Sequence, residues 1–364
     1  MYELTSDIET VRVTVDSTRS FLEAFFTGLG TNKEEARINA DGIVSAALWW
    51  HPGQGQGLEK LPRYARRLRN GGLVGDAPMQ WISDRTSTAL LDAAKGLGYV
   101  SARRAMSRAI VKARSTGIAM VAVQHSNHFG TSGYHAKQAA DAGLIGIAMT
   151  NAGAEMAPWG AAQPVLGTNP WGLAVPRTDH PPLVLDMALT QSGNGMMRWL
   201  AREGRPIPDT WALTPDGRRT TDPLEADQGP LLPIGDYKGY GLSLITDVIT
   251  GVLTGSRFGT DVFQDDLDFD VAHTLIAIDI EAFMDRPTFD ERLELLIAQV
   301  LAAAPIDSTH PLQLPGEAEQ HRATERLRDG IPLNRELFNT LRTLAGDIGV
   351  PFLLTETHVS ANHD

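Results

Sequence analysis

The sequence predicts an α/β protein in which a sheet-bearing middle segment is enclosed by helical segments from both chain ends. Three observations carry this expectation. Residues 17–44 and 102–112 repeat apolar side chains at helical spacing. Residues 118–150 read as strand, glycine-rich turn, helix and strand. The last third returns to helical spacing over residues 289–303 and 335–348.

The elements follow in order. A first helix is expected from Ser17 to Leu29, with Asp16 and Ser17 supplying N-cap oxygens. Phe21, Leu22, Phe25 and Phe26 form its apolar stripe, and Gly30 stops it. A second helix starts at Thr31, with Glu34 completing a capping box, and runs through Ile38, Ile43 and Val44. A third covers Ala102 to Lys112. The apolar run Ile118–Val123 then reads as a buried strand, followed by a helix from Tyr134 to Ala142 and a strand from Leu144 to Thr150. Such a βαβ unit crosses over right-handed, with its strands parallel. Further strands are expected at Gly172–Val175, Leu183–Leu185 and Thr274–Asp279, and a helix at Gly239–Leu253. The Pro- and Gly-rich stretch Thr190–Pro230 reads as an excursion or lid. The helices Phe289–Ala303 and Arg335–Ile348 need partners for their apolar faces and are expected to pack on the N-terminal helices. The polar tail after Thr355 is expected to fray.

Composition narrows the function classes. The 364 residues are 42% hydrophobic and 21% charged, which fits a soluble chain of two or three domains. A net charge of −12 and no basic cluster argue against nucleic acid as a partner. No apolar run spans a bilayer and no secretory signal is visible, so a cytoplasmic protein with no membrane partner is expected. With no cysteine, disulfides, thiolate nucleophiles and zinc–thiolate sites are excluded.

The densest cluster of chemistry-bearing residues is Gln124-His125-Ser126-Asn127-His128-Phe129-Gly130-Thr131-Ser132-Gly133. It joins a strand to a helix N-terminus, where free backbone N–H groups and the helix dipole favour anions. His128 falls at the carboxyl end of a parallel strand, where open α/β sheets place ligands. His125 reads better as a loop residue. Leu166-Gly167-Thr168-Asn169-Pro170 is by itself a turn signal. In Leu185-Asp186-Met187-Ala188, an acid ends an apolar strand. It can orient an imidazole, hold a ribose hydroxyl or cap the next segment. Tyr237-Lys238-Gly239-Tyr240-Gly241-Leu242 places a lysine at a helix start, where it suits a pyrophosphate, and Pro315-Gly316-Glu317 sits between helices. No G-x-G-x-x-G fingerprint joins a strand to a helix, and no nucleophile elbow or His-Glu-x-x-His pair occurs. Gly53 to Gly57 is glycine-rich but follows a helix. No metal site is expected.

Taken together and in this order, these motifs resemble the malate/L-lactate dehydrogenase family. That family includes ureidoglycolate, sulfolactate and diketogulonate dehydrogenases and cyclic-imine reductases. The pieces carrying the resemblance are Ser126 to Gly130, Val165 to Pro170, Leu185 to Ala188, Tyr237 to Leu242, Pro315 to Glu317 and Asp329 to Leu333, within residues 16–350. It implies a nicotinamide-binding mixed sheet of non-Rossmann type (residues 116–284, with the excursion at 190–230). A helical, substrate-side domain would come from both chain ends (1–115 and 285–355), with a disordered tail at 356–364. It implies NAD or NADP as cofactor, a homodimer and a small anionic substrate. Carried over by position, Phe129, Gly130, Asp186, Met187, Ala188, Lys238, Gly239, Gly316 and Glu317 would meet the dinucleotide. Lys60, Thr168 and Asn169 would meet the substrate, and His128 would face both.

The departures from the family lie on the substrate side. Counting back from Leu61-Pro62-Arg63-Tyr64, Gly55 and Gln56 stand where the family carries a serine and a histidine, and Lys60 stands for an arginine. In the family, that serine and histidine form a proton relay with the aspartate matching Asp186. Asn194-Gly195-Met196 replaces Arg-Gly-Lys, and Asp236 replaces glycine. A ketone reduced by hydride needs a proton, and a positioned acid supplies ~10²–10⁴ in rate. Glutamine cannot deliver one. Lysine holds a carboxylate as a point charge, without arginine's planar fork. Three readings follow. In the first, His128 serves as acid/base, with Gln56, Lys60 and Asp186 completing a dehydrogenase or reductase site. The others are an enzyme with changed chemistry (imine reductase, lyase or epimerase) and a catalytically silent cofactor-binding subunit.

Overall fold

The computed structural model describes residues 9–306 and 312–357. Strand β1 (Thr10–Val13) leads into helix α1 (Val15–Gly28), capped by Thr14 rather than by Asp16 or Ser17. Helix α2 (Lys33–Trp49) is capped by Asn32, whose side chain accepts from the Glu35 N–H. This Asx cap displaces the expected Thr31–Glu34 box because asparagine, one residue later, reaches the free donor directly. Helix α3 (Leu61–Asn70) follows the glycine-rich loop and ends at Gly71, which has φ +80°.

Strands β2 (Gln80–Asp84) and β3 (Thr88–Asp92) form an unexpected hairpin ahead of α4 (Gly98–Thr116). Then come β4 (Ile118–Ser126), α5 (Ser132–Asp141), β5 (Ile145–Thr150), β6 (Trp171–Val175) and β7 (Leu183–Met187). Helices α6 (Asn194–Arg202) and the short α7 (Pro223–Ala226) lie in the excursion, followed by α8 (Tyr237–Asp247) and β8 (Val271–Ile278). The chain closes with α9 (Arg286–Leu301), α10 (Glu317–Asp329), β9 (Ile331–Asn334) and α11 (Arg335–Ile348).

The seven-stranded sheet runs β2-β3-β4-β8-β5-β6-β7. The sheet thus takes residues 80–92 from the segment assigned to the helical part, because β3 pairs in parallel with β4. Strands β4 and β5 do point the same way, as the βαβ reading requires. They are not neighbours, however, since β8 lies between them and antiparallel to both. The near-continuous apolar run of β8 explains this, for it is buried along most of its length and so takes the centre of the sheet. Alanine-rich faces of α4 and α5 cover β4, β5 and β8 in one apolar cluster that includes Ala105, Ala109, Ala136 and Ala139. At Gly146 a Cβ would stand 2.1 Å from the Ala136 carbonyl, so only glycine allows α5 to lie this close to β5.

Both chain ends build the second body. Phe21, Phe25, Phe26 and Phe338 are buried in one cluster, each stabilising by roughly 1.5–3 kcal/mol relative to exposure. Strands β1 and β9 pair antiparallel beside it, Thr10 opposite Asn334 and Val13 opposite Ile331. Helix α11 packs on α1 as expected. Among the described residues, helix α9 has no main packing on the N-terminal helices. Arg177 grips Glu294 with two bonds of 2.8 Å and fixes α9 beside the β6–β7 turn, leaving Ile297 as its buried residue. The excursion has its own small core around Met197, Trp199, Leu200 and Leu231. Of the expected frayed tail, Thr357 is held by its N–H on the Arg12 carbonyl at 2.8 Å, and residues 358–364 lie outside the described residues.

Candidate active site

A cleft of about 870 Å³ opens between the helical body and the β6–β7 side of the sheet. The loop before α3 supplies Gln56 and Lys60, the β4–α5 turn supplies Gly130 to Ser132, and β7 ends in it with Asp186 to Ala188. Helix α6 closes one side and α10 contributes Glu319 and Arg322.

A directed hydrogen-bond chain crosses the wall of this cleft. Tyr64 Oη lies 2.7 Å from His128 Nδ1, and His128 Nε2 lies 2.9 Å from Gln56 Oε1. Gln56 Nε2 in turn donates to the Gln54 carbonyl at 3.3 Å. An amide oxygen only accepts, so Nε2 of His128 carries the proton and Nδ1 accepts from Tyr64. Burial, then the charges of Lys60 and Arg63, hold the imidazole well below its ordinary pKa. Burial also raises the Tyr64 phenol, which stays a donor. His128 is therefore neutral at physiological pH, with both nitrogens engaged. In this state the Nε2 proton rests on Gln56, which lines the cleft, and His128 stands behind it.

The anion anticipated at the α5 N-terminus comes from the protein itself. Asp186 Oδ2 accepts the Gly133 N–H at 2.9 Å, and a Cβ on Gly133 would stand 2.8 Å from Asp186 Cβ. Burial lifts this carboxyl to about 7, partly offset by the Gly133 and Ser132 N–H groups.

The other expected residues divide clearly. Met187, Ala188, Gly130, Lys60 and Thr168 line the cleft. Gly130 has φ +81° and abuts the Tyr99 ring, which leaves no room for a side chain. Phe129 does not face the cleft. Its ring is sandwiched between His135 and His273, with centroids at 4.7 and 4.5 Å. Asn169 is buried, its amide spent on Ser243 and on the Ala152 N–H, so its side chain cannot meet a substrate. His125 is not a loop residue: it lies within β4, with φ +50°, and pairs with Asp92 at 3.0 Å. Lys238 is exposed and Gly239 buried, and neither lines the cleft, although Ile234 before them does. Gly316 packs on the backbone of Val184 in β7, and the Glu317 carboxylate caps the Leu314 N–H, so this segment sits against the strand that carries Asp186.

Three further residues shape the site. Tyr64 ends the Leu-x-x-Tyr signal, which by itself assigns the phenol no role. Glu155 carried no local signal, because its place depends on distant backbone bonds: its N–H donates to the Leu166 carbonyl (2.9 Å) and its carbonyl accepts from the Leu231 N–H (2.8 Å). His51 stands edge-on to Trp199 of α6 at 4.9 Å, which ties the excursion to the loop before α3.

A dinucleotide fits these residues. The cleft has the size, the part-buried Asp186 carboxylate can hold a ribose hydroxyl, and helix α10 begins without a side-chain cap. Among the described residues no group of acids and histidines could hold a metal ion. None of the helices among the described residues is long and apolar enough to cross a membrane.

Comparison with known proteins agrees with this geometry. The malate/L-lactate dehydrogenase family profile matches residues 13–342. A malate dehydrogenase of Pyrococcus horikoshii is 36% identical over 93% of this chain and 96% of its own. An L-sulfolactate dehydrogenase of Methanothermobacter thermautotrophicus is 31% identical over 95% and 100%. The crystal structure of malate dehydrogenase from Entamoeba histolytica superposes with a TM-score of 0.89 at 27% identity, over 94% of this chain and 99% of that one. The chain belongs to the malate/L-lactate dehydrogenase family.

Proposed function

We propose that the protein transfers a hydride between NAD or NADP and the 2-carbon of a small anionic oxo or hydroxy acid. The observation that carries this reading is one cleft in which the cation Lys60 and Gln56, with His128 bonded behind it, share walls with the Asp186–Ala188 corner. Asp186 to Ala188, with Gly130, would hold the dinucleotide, which when bound supplies or accepts the hydride. Lys60 and Thr168 would hold the substrate carboxylate, and Arg63 lines the same end of the cleft. His128 would hydrogen-bond the reacting oxygen by releasing Gln56, whose side chain lines the cleft. The relatives are named for malate and sulfolactate, both small acids, which supports the substrate class.

The reading includes a homodimer in the cytoplasm. Helix α8 and its continuation expose Leu244, Ile245, Val248 and Val252, a stripe that a second copy would cover. A chain without cysteine also needs no oxidising compartment. Purified protein incubated with NADH or NADPH and a panel of 2-oxo acids tests the reading. Nucleotide oxidation that depends on the oxo acid is the expected result, and no turnover with any pair would count against it.

A further inference from the structure

Hydride transfer to a carbonyl leaves an oxygen anion, and the residues at the serine and histidine positions of the relay cannot neutralise it, while Asp186 holds the Gly133 N–H with its Oδ2. Gln56 has no acidic proton, Gly55 has no side chain, and His128 is neutral with both nitrogens engaged. Another proton carrier must reach the cleft, and Glu155 is placed to be one. Its side chain is open to the cleft, whereas its backbone is pinned on both sides by the bonds to Leu166 and Leu231. The carboxyl therefore hangs from a fixed point. Among the described residues it makes no ion pair within 4 Å, and Lys60, Arg63 and Arg198 face it from the loop before α3, from α3 and from α6. The Asn194 amide lies beside it, at the position where the family resemblance leads one to expect an arginine.

We propose that Glu155 is the acid/base of the reaction, replacing the missing serine–histidine relay. This proposal rests on the hydride-transfer reading above. In reduction, the 2-carbon accepts the hydride and the C=O π pair moves to oxygen. The Glu155 O–H bond breaks as the alcohol O–H bond forms, leaving a carboxylate and an oxidised nicotinamide. Solvent in the cleft returns the proton. In oxidation the carboxylate takes the hydroxyl proton. Two features of the environment suit the task. Enclosure by protein pushes the carboxyl above the ordinary glutamate value, while Lys60, Arg63 and Arg198 oppose that shift and stabilise the carboxylate once formed. Lys60 is itself pushed below the ordinary lysine value by burial and by Arg63, with Glu155 and Glu59 opposing. Acid and cation are thus tuned toward one another.

The test pairs kinetics with a readout that needs no turnover. Glu155→Gln, isosteric and without backbone consequence, should lower kcat for a 2-oxo acid by about a hundredfold, within the usual worth of a positioned acid. It should also remove one limb of the kcat pH profile, and Glu155→Asp should recover part of the rate. Separately, calorimetry of oxamate binding to the nucleotide complex, repeated in buffers of different ionisation enthalpy, should show proton uptake in the native protein and none in Glu155→Gln. A variant within twofold of native kcat, an unchanged pH profile, or oxamate binding without proton uptake would overturn the assignment. Proton uptake without turnover on any carbonyl would instead strike the hydride-transfer reading and leave Glu155 as the titrating group. No oxamate binding at all would overturn both.

Discussion

His128 and Gln56 meet at 2.9 Å, imidazole Nε2 to amide Oε1, at a position where a second histidine would have made a titrating pair. Glutamine turns that pair into a fixed donor. Because the Gln56 amide nitrogen is turned toward the Gln54 carbonyl, its oxygen is left to accept, and the His128 tautomer follows. Proton transfer and hydrogen bonding are thereby separated between different side chains.

Gln56→Ala is expected to raise KM more than it lowers kcat, because it frees the His128 proton without removing an acid. Tyr64→Phe should leave Nδ1 unpaired, cost about 1–3 kcal/mol of stability, and produce a mixture of tautomers visible in imidazole ¹⁵N shifts. An unaltered ¹⁵N spectrum would show that Tyr64 does not set the tautomer.

The Asp186 carboxyl, lifted to about 7 from an ordinary 3.8, makes the fold pH-sensitive in a stated direction. The native state holds the proton over a range where the unfolded chain has lost it. This contribution to stability is full below about pH 4 and is lost as pH rises through about 7. Asp186→Asn keeps an acceptor for the Gly133 N–H, so its Tm relative to native should improve between pH 5 and pH 8, on the order of the linked window. A Tm difference that does not change with pH would remove the burial argument.

The excursion closes on the loop before α3 through a tight contact. A Cβ on Gly195 would stand 2.5 Å from the Gly53 carbonyl oxygen, and Trp199 packs edge-on against His51. Gly195→Ala should therefore prise α6 outward, raising KM severalfold and speeding amide exchange over residues 194–202. Native exchange rates in that segment would mean that the contact does not hold it shut.

If α8 meets a second copy, Ile245→Glu or Val248→Glu should shift sedimentation from dimer to monomer. Both residues are exposed in the single chain, so folding itself should survive. A native protein already monomeric at micromolar concentration would contradict the dimer.

The sequence revealed some features and hid others for physical reasons. Phe21, Phe25 and Phe26 announced α1 because one face of a helix records its own burial, and the helix Arg335–Ile348 was bounded exactly as observed. Caps slipped by a residue or two, as at Thr14 and Asn32, where several neighbouring oxygens compete. The place of β8 between β4 and β5 could not be read, since strand order is set by pairing across more than a hundred residues. Motif spacing sufficed to bring Lys60, Gln56 and Asp186 to the cleft lining. It did not suffice for Glu155, because it reaches the cleft only when Leu166 and Leu231 fold over Met156. Phe129 and Asn169 looked functional in their motifs, yet the sheet interior uses them as packing and as a backbone brace.

On this reading a pyridine dinucleotide lies along Asp186 to Ala188, with Gln56 and the His128 behind it across the cleft. Titration calorimetry of NADH and of NADPH into the purified protein tests it most directly, run in parallel on Asp186→Asn. The expected result is one site per chain with a Kd on the order of micromolar for at least one nucleotide, weakened about tenfold in the variant by loss of a charged hydrogen bond. Heat of binding for neither nucleotide, or equal affinity in the variant, would contradict it.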